Sequence, residues 1–406
     1  MHKSIKSIGL GEFVVLMAMM TSLTAMSIDT VLPALSEIGL DLGVKRPNDT
    51  QLMISLLFMG IAIGQMFLGP LSDSIGRKPT VYIGFGLFAT GCLMSMLTNN
   101  FEIMLAGRVL QGLGSAAPRV MVIALVRDQF SGREMARVMS FVMTVFILVP
   151  VVAPAFGQAI LIVAHWRWIF AIFLMMALFI GIWFAWRQPE TLSPERIIPF
   201  SLLAIGRAIR EAVTNRIVFG YTITIGLVHG AFIGYLNSAQ QVFQEQYGLG
   251  VLFPLYFAIF ALSLGCASIA NTRLVIRFGM QSLSFWALKS IAVSSLIFLV
   301  ITVINAGQPA LWSLICYFML TFFGLGILFG NLNALAMEPL GHIAGVGAAV
   351  VGSLSTFISL LLGTVIGQSY NGTVLPLIGG FAIFSITAIL VMRWVNYKEP
   401  VPQTSQ

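Results

Sequence analysis

The sequence predicts an all-α membrane protein whose twelve transmembrane helices form two pseudo-symmetric six-helix bundles. Three observations carry this. First, 58% of the 406 residues are hydrophobic and only 9% are charged. A soluble domain carries roughly 25% charged residues, so this chain cannot cover a water-facing surface. Second, twelve apolar segments can be counted, each long enough to cross a bilayer core of roughly 30 Å as a helix. Third, the longest polar stretch, 188–215, lies in the middle, with six segments on each side.

In chain order the segments fall near 11–35, 50–71, 79–98, 101–126, 136–162 and 167–187, then 216–241, 250–272, 282–305, 310–336, 344–368 and 375–397. Helices are expected because an isolated strand in lipid leaves its backbone polar groups unpaired. Lys3 and Lys6 precede the first segment, as in a signal peptide. Its apolar stretch is too long and no small-x-small cleavage site follows, so a retained helix is expected. The expected units are a first bundle, 1–187, a linker, 188–215, a second bundle, 216–398, and a tail, 399–406. The linker holds Pro189, Pro194 and Pro199, then an amphipathic piece with Arg207, Arg210 and Glu211. That piece is expected to lie against the inner leaflet.

The loops set the orientation. With both termini inside, the inner loops and tails hold sixteen bases: Lys3, Lys6, Arg77, Lys78, Arg127, Arg133, Arg137, Arg187, Arg196, Arg207, Arg210, Arg216, Arg273, Arg277, Arg393 and Lys398. The outer loops hold three, Lys45, Arg46 and Arg167. This positive-inside bias explains the net charge of +7 without an anionic partner. No basic patch with interleaved aromatics is present, so no nucleic acid is expected. Cys92, Cys266 and Cys316 lie inside apolar runs without CxxC spacing and read as small buried packing residues, with neither metal nor disulfide.

The polar turn between the second and third segments is Gly69-Pro70-Leu71-Ser72-Asp73-Ser74-Ile75-Gly76-Arg77-Lys78-Pro79. An acid and a base four residues apart can pair across the bend and exchange partners with neighbouring helices, which suits a conformational latch. The turn resembles the signature loop G-x-L-a-D-r-x-G-r-k of the major facilitator superfamily. Gly69, Leu71, Asp73, Gly76, Arg77 and Lys78 match, while Ser74 stands where the family has a base. The halves also look repeated. Gly112-Leu113-Gly114 corresponds to Gly324-Leu325-Gly326, an offset of 212 residues that sets Asn331 opposite Arg119. Arg273 to Met280 resembles a worn copy of the signature loop, with Ile276 where Asp73 stands. Two parallel six-helix halves around a cavity are what this superfamily uses for alternating access.

Only Asp29, Arg108 and Arg119 sit well inside apolar segments; Lys289 is near an inner end and can snorkel. A charge in the membrane is a functional candidate. Asp29 and Arg108 both lie roughly 12 Å from the outer side at about 1.5 Å per residue, so they are expected to face one another. Arg119 is eleven residues past Arg108, within about 20° of the same helical direction and about 16 Å further along. Arg108, Gly112, Ser115 and Arg119 thus form a polar stripe expected to face a cavity. Leu105 to Ala117 resembles the fourth-helix motif R-x-x-q-G-x-g-a of the superfamily through Arg108, Gln111, Gly112 and Gly114. In antiporters of the family this Arg is linked to proton coupling; the alternative is a structural Arg bonded to carbonyls of the first helix. Arg119 likewise meets substrate or is tied to helix carbonyls.

Val149 to Gln158 resembles the antiporter motif G-P-x-x-G-G at Pro154 and Gly157, but not at Ala153 and Gln158. A Pro here frees a backbone carbonyl and allows a bend; the plain alternative is a kinked packing helix. Ser27 to Leu35 and Gly64 to Asp73 are similar to S-x-D-x-Y-L-P-A-L and G-Q-x-x-x-G-P-L-S-D of the bicyclomycin- and chloramphenicol-resistance (Bcr/CflA) branch of drug:proton antiporters. Arg127-Asp128, His165 to Phe170 and Phe232 to Ser238 fit as well. Thr30-Val31 departs where the branch prefers Tyr, and Thr21 is uncharged where some related exporters have a second acid.

The resemblance implies proton-coupled export of small amphipathic drug-like molecules across a bacterial inner membrane, by a monomer that needs no cofactor beyond the proton gradient. Asp29 and Arg108 would serve proton coupling. Asp29, Ser115, Arg119, Phe232, Tyr235 and Phe257 would line the cavity, where aromatic faces hold varied apolar molecules. Gly69, Asp73, Gly76, Arg77 and Arg127 would form the inner latch, and Pro154 with Gly157 the bend. The rivals are an importer or facilitator of a small metabolite on the same fold, and a membrane enzyme or channel. An enzyme is not expected, since no two of the four histidines have metal-ligand spacing.

Overall fold

The computed structural model describes residues 9–397. Lys3, Lys6, Lys398 and the 399–406 tail lie outside the described residues, and with them the siting of both termini. Among the described residues every regular element is helical. The first bundle holds α1 (Leu10–Asp29), α2 (Leu35–Asp41), α3 (Leu52–Ile75), α4 (Arg77–Leu97), α5 (Phe101–Gln129), α6 (Gly132–Val163) and α7 (Arg167–Arg187). The short α8 (Leu202–Thr214) follows in the linker. The second bundle holds α9 (Arg216–Gln240), α10 (Phe253–Phe278), α11 (Met280–Ile304), α12 (Leu311–Met337), α13 (Ala344–Gln368) and α14 (Leu375–Asn396). The stretch Leu311–Gln368, 58 residues long, comprises α12 and α13 joined by a tight turn. Counting α1 and α2 as one broken span, Leu10–Asp41, there are twelve membrane helices among the described residues.

The outward faces explain why these segments need lipid. Ile162, Trp186 and Ile276 point away from the protein at 70%, 86% and 86% exposure. Trp168, Trp186, Trp286, Trp312 and Trp394 are all exposed and lie near helix ends, where an indole sits at the bilayer interface. The protein is a multi-pass membrane protein. Of the cysteines only Cys92 is buried; Cys266 and Cys316 are exposed, which corrects their reading as packing residues. In an all-apolar helix the lipid face and the packed face have the same composition, so the sequence does not separate them.

The two bundles repeat one packing plan. In the first, α3 and α4 pack on α5, α4 packs on α7, and α1 packs on α6. In the second, α10 and α11 pack on α12, α11 on α14, and α9 on α13. The seam between bundles obeys the same symmetry: α3 meets α13 and α6 meets α10. The repeat extends to the turns. Gly76, between α3 and α4, has φ 106° and Gly279, between α10 and α11, has φ 76°, conformations that a side chain resists. Close approach of backbones needs glycine as well. A Cβ on Gly112 would strike the Leu57 carbonyl oxygen, and one on Gly157 the Thr30 carbonyl oxygen.

α8 begins at Ser201, whose side chain accepts from Ala204 N, a cap for the free first turn. Ile205, Ala208 and Ala212 are buried, and the helix packs on α9 and α13. Its inner face therefore meets protein, while Arg207 and Arg210 stay exposed.

Candidate substrate cavity

One end of the bundle gathers the bases Arg77, Arg127, Arg187, Arg216, Arg277 and Arg393 at helix ends; it is called the basic end here, and the opposite end the far end. Between the bundles lies a cavity of about 350 Å³, within the range of small-molecule sites. Both bundles line it. α1 supplies Asp29, α5 supplies Arg119, and α9, α10 and α12 supply Phe232, Phe257, Phe322 and Phe329. Asp29 is 5% exposed and, among the described residues, has neither ion pair nor hydrogen bond. It stands at the end of α1, just before the turn at Leu32–Ala34 that Pro33 opens. Arg119 is exposed to the cavity and is likewise unbonded among the described residues.

Three sequence expectations for this cavity are corrected. Arg108 does not face Asp29. It is fully buried, and its Nε donates to the Met53 carbonyl oxygen at 3.1 Å, Nη2 to the Ser27 carbonyl oxygen at 2.8 Å and Nη1 to Gln111 Oε1 at 2.6 Å. Gln111 in turn donates to Ser95 Oγ at 3.1 Å, and the Phe170 ring lies 5.9 Å from the guanidinium. The depth estimate holds, since Arg108 reaches α1 two residues before Asp29. The direction does not, because two residues turn a helix by about 200°. Ser115 is the second correction. Its hydroxyl bonds the Gly112 carbonyl oxygen and its own carbonyl oxygen accepts from Thr24 Oγ1 at 3.1 Å, so it joins α5 to α1 and is fully buried. The stripe from Arg108 to Arg119 is thus covered by α1 and α3 over most of its length and opens only at Arg119. Third, Tyr235 is fully buried. Its ring packs against Phe322 at 4.8 Å, Phe318 at 5.4 Å and Phe257 at 5.8 Å, and it backs the cavity wall.

At the basic end Arg77 is the hub of an ion network. Its Nη1 pairs with Asp73 Oδ1 at 2.5 Å and its Nε with Asp128 Oδ2 at 3.0 Å. The same Nη1 donates to Ser72 Oγ at 2.7 Å. The partner on α5 is Asp128; Arg127, expected there, is exposed and has no ion pair among the described residues. Adjacent helical residues point about 100° apart, so only one of the two can face the turn. The linker completes the network. Glu190 accepts from the backbone N–H groups of Arg77 at 3.0 Å and Lys78 at 2.9 Å, capping the positive end of α4. Thr191 Oγ1 donates to Asp128 Oδ2 at 3.1 Å. A Cβ on Gly76 would come within 2.7 Å of Glu190 Oε2. Gly69 faces Ala349 across the α3–α13 seam. Pro154 and Gly157 lie in α6, which runs unbroken from Gly132 to Val163; Gly157 is where α6 meets the end of α1.

A second polar network, unforeseen in the sequence, closes the far end. Asn48 Nδ2 donates to the carbonyl oxygens of Gln368 at 3.1 Å and Tyr370 at 2.9 Å, and Gln368 Nε2 returns a bond to the Asn48 carbonyl at 2.8 Å. Gln241 bonds both Asn48 and Gln51. Ser55 accepts from Asn237 at 3.0 Å and from Thr364 at 2.8 Å. Ser36 bonds Glu245 at 2.7 Å and accepts from Gln240 at 2.7 Å. Gln51, Asn237, Gln240 and Gln241 are each at most 3% exposed, whereas Arg119 and Asn333, toward the basic end, are exposed. The cavity is sealed at the far end and open toward the basic end. The available signal was the pair of amide-rich runs, 48–51 and 240–246, at the matching ends of two apolar segments.

Comparison with known proteins agrees with this architecture. The family model for the Major Facilitator Superfamily matches residues 17–364. The chain is 31% identical over 381 residues to YdgK of Bacillus subtilis (strain 168), an uncharacterized MFS-type transporter, covering 92% of each chain. It is 27% identical over 391 residues to a bicyclomycin resistance protein homolog of Haemophilus influenzae, covering 95% of this chain and 97% of the other. Among solved structures it superposes on the xylose transporter XylE of E. coli, in a partially occluded inward open conformation, with a TM-score of 0.72 at 12% identity, over 95% of this chain and 97% of that one. With this match over most of its length, and with twelve membrane helices among the described residues in a repeated packing plan around a central cavity, the chain belongs to the major facilitator superfamily.

Proposed function

We propose that this transporter exports small amphipathic drug-like molecules in exchange for protons, with Asp29 as the group that carries the proton. The observation that carries the reading is a lone carboxyl in the wall of an aromatic cavity between the two bundles. Asp29 has no fixed partner among the described residues, so it is free to hold a proton or to engage a ligand, but not both at once. Six phenylalanines line the cavity, a surface that accepts many apolar shapes. An importer of one polar metabolite would be expected to present more directed hydrogen-bonding groups. The similarity to a bicyclomycin resistance protein homolog favours export as well.

On this reading the protein sits in a bacterial inner membrane, and the positive-inside rule favours the basic end on the cytoplasmic side. The conformer then faces inward, sealed outside by the Asn48–Gln51–Gln241 network. The turn network around Arg77 would exchange partners as the inner side closes. Drug accumulation in cells with and without the protein, across a panel of antibiotics and with and without an uncoupler, tests this. Lower accumulation that the uncoupler abolishes is expected. Higher accumulation in cells that carry the protein would show import instead.

A further inference from the structure

We propose that the basic-end part of the cavity, at Arg119, is a subsite for an anionic group, so that the transported molecules include aromatic amphiphiles bearing a carboxylate. This rests on the reading of the cavity as the transport site, and adds to it a charge class. Asp29 supplies the one carboxyl and Arg119 the one guanidinium among the lining residues. The bond from Thr24 Oγ1 to the Ser115 carbonyl oxygen sets the register of the antiparallel α1 and α5. Asp29 is five residues beyond Thr24 toward the far end, and Arg119 is four residues beyond Ser115 toward the basic end. At about 1.5 Å per residue their Cα atoms are roughly 13 Å apart along the helices. No ion pair joins them, and Asp29 is the only carboxylate among the lining residues.

The guanidinium therefore stands uncompensated in an apolar cavity, where a unit charge acts more strongly than in water. Its fork suits a carboxylate, which it can bind through two N–H groups. The surroundings suit a flat body attached to that group. His229 stacks on Phe329 at 4.3 Å with an interplanar angle of 10°, and Phe232 meets Phe329 edge-on at 5.7 Å. Asn333 Nδ2 donates one N–H to the Phe329 carbonyl oxygen at 2.8 Å, and its second N–H is available to a ligand oxygen. A molecule about 13 Å long would span from Arg119 to Asp29. The same cation disfavours lipophilic cations.

The test is equilibrium dialysis of the purified protein in detergent with nalidixate, an aromatic carboxylate, and with its methyl ester. Wild type is expected to bind the carboxylate about tenfold tighter, ~1.4 kcal/mol. Arg119→Gln should erase that preference, and Arg119→Lys should keep part of it. Equal binding of acid and ester by wild type, retention of the preference in Arg119→Gln, or no saturable binding of either probe would each overturn the subsite. The wild-type ratio decides the question by itself if the Gln variant does not fold. Binding is read without a proton gradient. Loss of the charge preference therefore leaves proton-driven efflux standing, and failure of efflux in cells leaves the preference standing.

Discussion

Arg108 Nη2 donates to the carbonyl oxygen of Ser27 at 2.8 Å, two residues before Asp29 on the same helix. The arginine therefore does not neutralise the acid. It holds the end of α1, and with it the direction in which Asp29 points, while also binding α3 through Met53.

A lysine cannot bridge these acceptors, because one ammonium replaces a fork of five N–H groups. Arg108→Lys should lose the bonds to Met53, Ser27 and Gln111 in part, at about 1.5–3 kcal/mol for each bond lost. The expected outcome is a lower unfolding temperature in detergent together with slower transport. Unchanged thermal stability with abolished transport would show that the charge acts in coupling directly, without a positioning contribution.

The basic-end network separates two neighbours. Asp128→Asn should slow turnover by about tenfold or more, ~1.4 kcal/mol in activation free energy, as Asp73→Asn should. Both leave the Arg77 guanidinium with one acid fewer. Arg127→Gln should stay within about twofold. The check is turnover per bound drug in proteoliposomes. Equal loss in the Arg127 and Asp128 variants would restore Arg127 to the network. A tenfold drop in drug binding in the Asp73 variant, with turnover per bound drug unchanged, would move Asp73 into the binding site.

Asn48 makes hydrogen bonds to Gln368, Tyr370 and Gln241 across the far-end seam. Asn48→Ala removes its three side-chain bonds, at about 0.5–1.5 kcal/mol each, which is enough to shift a two-state equilibrium by tenfold or more. A cysteine placed by Ser55→Cys should then react faster with an impermeant maleimide added from the far side. Equal labelling with and without the Asn48→Ala substitution would mean that apolar packing, not the amide network, holds that end shut.

The architecture was legible because membrane helices announce themselves by length, and because Gly69 to Pro79 is a dense, short-range pattern. The cavity was legible in depth but not in direction. Asp29, Arg119, Phe232 and Phe257 line it, whereas Arg108, Ser115 and Tyr235 pack behind it. Distance along a helix follows from residue count, but facing depends on which neighbour covers each turn, and an all-apolar helix carries little azimuthal signal. Arg127 and Asp128 show the same limit at one-residue resolution. The far-end network and Glu190 escaped notice because each joins residues more than a hundred positions apart, and polar amides in a loop look like ordinary solvated chain.

The assignment of the proton to Asp29 is tested most directly in proteoliposomes, using a drug that cells accumulate less when they carry the protein. Two rates are compared in wild type and Asp29→Asn: uptake driven by an imposed pH gradient, and exchange of labelled for unlabelled drug with no gradient. A neutral side chain of the same size keeps the cavity but cannot release a proton. The expected result is a loss of gradient-driven uptake by about a hundredfold, ~2.7 kcal/mol, with exchange kept within about threefold. Gradient-driven uptake at the wild-type rate and with wild-type pH dependence in Asp29→Asn would contradict the assignment.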